Sequence, residues 1–181
     1  MRFEEYAEQA VTTALPSALS FDYLTTALVG EVGELSSIFA KAIRDNNFEL
    51  TEDDRLNALK EIGDVLWYLA LLSVLYGSPR LNLSLSKDLR PQATAEDDVI
   101  SALLILFNEA SSLLTDLVIK SESPKLNESG VSTEIINNLI DTLSFLASFL
   151  GSDIEFVAAL NLSKLKSRKE RNQIGGSGDN R

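Results

Sequence analysis

Helical periodicity runs almost unbroken through this chain, and twice an acid interrupts it where a core residue belongs. Leu24, Leu28, Glu31, Leu35, Ile38 and Ala42 fall three or four positions apart, as do Ala58, Glu61, Val65, Tyr68 and Leu72. That spacing lines up one face of an α-helix. Each intruding acid has a companion one turn on, giving Glu31-x-x-Glu34 and Glu61-x-x-Asp64. A three-residue step turns about 300° and climbs about 4.5 Å, so both members of a pair share a face. Two such helices laid side by side would enclose a cage of oxygens. Gathering negative charge in a partly apolar space is costly unless cations neutralise it or protons bind. A hard divalent ion is the simplest remedy.

Strand alternation is nearly missing, so the expected fold is all-α, a helical bundle. Helices are expected from Phe3 to Leu15, Phe21 to Asp45, Thr51 to Tyr76, Thr94 to Lys120, Ser132 to Leu150 and Ser152 to Arg171. Pro16, Gly77 with Pro79, Pro91, Pro124 with Gly130, and Gly151 punctuate them. Ser20, Thr51, Thr94 and Ser152 are the expected N-caps. With 181 residues, 45% of them hydrophobic and 24% charged, the chain can bury one compact core.

The pattern also repeats. GEVGELSSIF from Gly30 returns loosely as ILFNEASSLL from Ile105, matching Glu34 with Glu109; EIGDVLWYLA from Glu61 returns as NLIDTLSFLA from Asn138, matching Asp64 with Asp141. The offsets, 75 and 77 positions, fit one duplicated helix pair. In the second copy Leu106 replaces Glu31 and Asn138 replaces Glu61, so two of four acids are lost. The expected organisation is a four-helix core of two tandem, diverged helix pairs packed as a single domain. Residues 1–78 carry the intact acid set, 79–151 the degenerate copy, and 152–181 a final helix with a basic, Gly-rich tail.

Charge and composition narrow the function. A net charge of −11 argues against binding nucleic acid, which relies on clustered Lys and Arg. The absence of Cys excludes disulfides and thiolate metal sites and suits a reducing cytoplasm. The opening MRFEEYAEQAV is acidic and lacks the apolar stretch of a secretory signal. Val65 to Tyr76, read as the most apolar run, is shorter than the roughly 18 to 20 residues that cross a bilayer. A soluble, cytoplasmic protein is expected.

An all-oxygen donor set favours Mg²⁺, with Mn²⁺ as the alternative. A di-iron bundle would need Glu-x-x-His motifs, and the chain has no His. No twelve-residue loop of alternating Asp and Asn suggests an EF-hand. Near the end, Asn161, Lys164, Arg168 and Arg171 fall on one helical face. Six basic and two acidic residues between Lys164 and Arg181 make this end suited to an anion.

GEVGEL, EIGDVLWYLALL and the closing NLSKLKSRKERNQIGGSGDNR together resemble the MazG-like branch of the all-α nucleoside triphosphate pyrophosphohydrolases. That family's ExxE is followed by ExxD, here with 26 residues between Glu34 and Glu61. The resemblance covers Phe21 to Tyr76 and Asp153 to Arg181. It implies that Glu31, Glu34, Glu61 and Asp64 hold Mg²⁺ and that a nucleoside triphosphate is hydrolysed to monophosphate and pyrophosphate. Asn161, Lys164, Arg168 and Arg171 would then bind the triphosphate. Glu34 is the preferred catalytic base, since Glu31 and Glu61 align more deeply with the core.

Trp67 and Tyr68 flank the second motif, where they could stack on a base or simply fill the core. Lys41 shares a face with Glu34 and could reach phosphate or stay in solvent. Ser36 and Ser37, with no His to activate them, are expected to pack within the helix. A different class of protein stays open: a catalytically silent helical nucleotide-binding, regulatory or assembly protein. A homodimer is the further partner considered, unless tandem fusion replaced it.

Overall fold

The computed structural model describes residues 1–76, 85, 96–122 and 133–171. Among these are six α-helices and no β-strand: α1 (Phe3–Thr13), α2 (Phe21–Asn46), α3 (Glu52–Tyr76), α4 (Glu96–Glu122), α5 (Thr133–Phe149) and α6 (Ile154–Glu170). A single 3-10 turn, Pro16–Ala18, joins α1 to α2. The all-α bundle expected from periodicity is the fold observed.

Helix starts follow side-chain chemistry. Ser20 Oγ accepts from the Tyr23 amide at the head of α2. Thr51 and Asp54 cap α3 reciprocally, each side chain accepting the other's backbone N–H. The expected cap at Ser152 is corrected to Asp153, whose carboxylate accepts from the Phe156 amide at 2.7 Å. Ser152 instead closes α5, donating its amide to Ala147 O while Gly151 adopts φ +83°. Across this break α6 turns 93° from α5. The expected cap at Thr94, the breaks at Gly77, Pro79, Pro91, Pro124 and Gly130, and the tail from Gly175 lie outside the described residues.

Packing explains why α3 is central. It lies against α1, α2, α5 and α6, and from Glu61 to Ser73 every residue except Asp64 is buried. A helix apolar all round must be enclosed on all sides. α2 pairs with α3 and α4 with α5, while α2 also meets α4 and α3 meets α5. The α2–α3 turn carries Asn47 and Phe48 at positive φ. That conformation costs a β-carbon-bearing residue about 1–2 kcal/mol; it places the Phe48 ring in a three-way contact with Phe39 and Phe149. α6 is no appendage to the second hairpin, since it packs on α1, α3 and α5.

One stretch departs from the sequence expectation. Glu96–Ile119 of α4, 24 residues, is long and apolar enough to cross a bilayer and is mostly left uncovered by the bundle. Leu104, Ile105, Phe107 and Ile119 are exposed along it. Glu109 and Asp116 interrupt the stretch, and a bilayer core would penalise both. One such helix with embedded acids is compatible with a soluble bundle.

Candidate metal centre

Pairing α2 with α3 brings three of the four motif acids together. Carboxylate oxygens of Glu31, Glu34 and Glu61 lie within 4.8 Å of one another. Their depths differ: Glu61 is 9% exposed, Glu31 half-buried and Glu34 exposed. Burial, and then the nearby charges of Asp64, Glu61 and Glu34, push the Glu31 carboxyl up to about 8, with Lys164 opposing them. Proximity of like charges in a partly dry site is the reason.

The donor set fits a hard divalent cation. Metal–oxygen bonds of about 2.1 Å place the oxygens of an octahedral ion roughly 3.0 to 4.2 Å apart. The observed limit of 4.8 Å lies just above that range. The donors are oxygen alone, in a chain without His or Cys.

Asp64, expected as the fourth ligand, is engaged from another direction. Lys164 Nζ donates to its two oxygens at 2.8 and 2.7 Å, and Asn161 Nδ2 donates to Oδ1 at 2.8 Å. Tyr6 Oη, fully buried on α1, donates to Asn161 Oδ1 at 2.9 Å. A polar relay thus runs Tyr6, Asn161, Asp64, Lys164 across three helices. It depends on Gly63, because a β-carbon there would stand 3.0 Å from Asn161 Cβ.

The expected phosphate-binding row does not present one uniform face. Asn161 and Arg168 are buried, Lys164 is half-buried beside Asp64, and Arg171 is exposed with Nε donating to Ser167 O. Lys166 and Lys169 point to α1 instead, donating to Gln9 Oε1 and Thr12 O.

Trp67 belongs to the core: Nε1 donates to Ala10 O and Thr13 Oγ1. Tyr68 is buried edge-on against it, and its hydroxyl is hydrogen-bonded to that of Tyr23 at 3.1 Å. Ser36 Oγ donates to Val32 O, as expected of a serine satisfied within its own helix. Lys41 is exposed. In the second hairpin Leu106 is fully buried, Asn138 exposed, and Glu109 and Asp141 half-buried. Among the described residues the only three acids whose carboxylate oxygens all lie within 4.8 Å of one another are in the first hairpin.

Two site residues, Tyr6 and Gly63, are not among those expected from the sequence. Tyr6 reads as one apolar-face residue of α1, and Gly63 as a helix interior weakened by glycine. Gly63 was the better clue, since glycine in a well-formed helix often marks close approach of a neighbour.

The Gene 37 protein of Mycobacterium phage L5 is 41% identical to this chain over 51 residues. That match covers 28% of this chain and 45% of the phage protein, so the chain spans less than half of its relative's length. No family model and no solved structure matches.

Proposed function

We propose that this chain is a Mg²⁺-dependent nucleotide pyrophosphohydrolase of the MazG-like kind its motifs resemble, converting a (d)NTP to the (d)NMP and pyrophosphate in the cytoplasm. The observation that carries the reading is the convergence of Glu31, Glu34 and Glu61 from two helices, with the ammonium of Lys164 held beside them on Asp64. The three carboxylates would hold Mg²⁺ or Mn²⁺. Such an ion supplies Lewis-acid polarisation of phosphoryl oxygens.

The chain's own residues divide the remaining tasks. Glu34, the exposed member, is the general base that takes a proton from the attacking water. Lys164 offers a point charge to the polyphosphate and Arg171 a planar fork. Asn161, fixed by Tyr6, positions Asp64. Arg168, 7% exposed on α6, would add a second guanidinium to the polyphosphate site. The degenerate second hairpin completes the scaffold, its duplication resting on the matches of Glu34 with Glu109 and Asp64 with Asp141.

A panel of NTPs and dNTPs incubated with Mg²⁺ tests this, with pyrophosphate release expected for at least one base. The second reading, a silent nucleotide-binding or regulatory protein, is favoured by one observation: Asp64 is already engaged by Lys164 and Asn161. Nucleotide binding without turnover across the panel selects it.

A further inference from the structure

The outward side of α4 carries no charge over most of its length. From Ser101 to Ile119 every exposed residue is uncharged, in a chain whose net charge is −11. Leu104, Ile105 and Phe107 stand out from one half of this run and Val118 and Ile119 from the other, each between 42% and 66% exposed. Ser111 and Thr115 lie between them. The Thr115 hydroxyl already donates to Ser111 O at 2.9 Å, so covering it leaves no hydroxyl unmatched. An open apolar groove of about 340 Å³ borders the run, lined by Ala110 and Leu114 and, from α2, by Val29 and Val32.

The order of these residues is symmetric about Ser111. Leu104 and Val118 stand seven positions to either side of it and Phe107 and Thr115 four, spacings that keep all five on one helical face. Two such helices laid antiparallel across a twofold axis at Ser111 would set Leu104 against Val118 of a second copy and Phe107 against its Thr115. The small serine at the centre lets the helices approach closely, and each Phe107 ring meets the groove that Thr115 borders on the facing helix. A surface that matches itself in this way closes as a dimer. Charge favours the same occupant, because two chains at −11 repel wherever acids face each other and can touch on a charge-free face without that penalty. A lipid surface fits less well. Glu109 and Asp116, half-buried beside the run, would be drawn into the bilayer, and anionic headgroups repel an acidic chain. The surface is also additional to the contact inside the chain, where α2 meets α4 and α3 meets α5. About 27 Å of α4 and two helix widths of about 10 Å give roughly 500 Å² per copy, or about 1,000 Å² for the pair, the lower bound for a specific interface.

We propose that this face of α4, with the adjoining flank of α2, is an interaction surface whose occupant is a second copy of this chain, antiparallel to the first and centred on Ser111. It stands apart from the metal-site reading above and holds whether or not the chain hydrolyses nucleotides.

Sedimentation velocity of the full chain over a concentration series tests the pairing. Wild type is expected to pass from monomer to dimer with a Kd on the order of micromolar, as suits an interface of this size. Ser111→Glu sets two carboxylates face to face at the axis and is expected to weaken the dimer at least about tenfold. The chain has no Cys, so Ser111→Cys reports the register. Oxidation by copper phenanthroline should link it into a covalent dimer, whereas Ser163→Cys, exposed on α6, should stay monomeric. A wild type that is monomeric throughout, a dimer indifferent to Ser111→Glu, or cross-linking no faster in Ser111→Cys than in Ser163→Cys overturns the proposal. So does a monomer that co-sediments with phosphatidylcholine vesicles, which would make the face a membrane surface. Should Ser111→Glu lose native helix content by circular dichroism, the two cysteine variants decide alone.

Discussion

Asn161 Cβ stands 3.0 Å from the place a side-chain carbon at Gly63 would occupy, so α6 seats against α3 only because that position is bare. Replacing Gly63 with Ala should therefore destabilise the fold by about 1–3 kcal/mol through overpacking, even though Ala is the better helix former. The same change at Gly30, which has nothing within 4 Å, should stabilise by up to about 1 kcal/mol. Urea unfolding of the two variants measures the contrast. Equal effects would mean that the close approach of α6 does not matter.

Tyr6→Phe keeps the ring that packs at the core and removes only the hydroxyl that donates to Asn161 Oδ1. A buried acceptor left without its donor costs about 1–3 kcal/mol. The loss should be visible in urea melts, and turnover should fall with it as Asn161 loses its orientation toward Asp64. A variant with wild-type stability and turnover would remove Tyr6 from the relay.

Glu31 gives a pH dependence of definite sign. Its carboxyl is raised from 4.5 to about 8 in the folded chain. Below 4.5 both folded and unfolded states hold the proton, and this stabilising contribution is complete. Between 4.5 and about 8 the folded state holds it more tightly, so stability drains away as pH rises. Urea melts in EDTA from pH 5 to 9 should show that decline in the wild type and a flatter profile in Glu31→Gln. Mg²⁺ should restore stability most at the alkaline end, where the carboxylate is free to take the ion. Parallel profiles for the two proteins would rule out Glu31 as the source.

Periodicity made the helices and their acid interruptions legible, because both depend on residues three and four apart. Ser20 and Thr51 were readable as caps for the same local reason. A cap at Ser152 is the wrong expectation because two capping residues stand in tandem there, and only the left-handed turn at Gly151 decides that Asp153 takes the role. Helical spacing also placed Asp64 on the same face as Glu61, yet it carries no information about what a distant helix brings to that face. Lys164 and Asn161 reach Asp64 from about a hundred residues away in sequence. The exposed flank of α4 is not legible in the sequence because its starting acids and Glu109 disguise an otherwise apolar run.

The most direct measurement is product analysis by phosphorus NMR and nucleotide chromatography after incubation with a hydrolysed triphosphate from the panel. Expected are monophosphate and pyrophosphate in equal amounts, dependent on Mg²⁺ or Mn²⁺, abolished by EDTA, and reduced at least about 100-fold by Glu61→Gln. Diphosphate with orthophosphate as products, or hydrolysis indifferent to both EDTA and Glu61→Gln, would contradict a metal centre built from Glu31, Glu34 and Glu61.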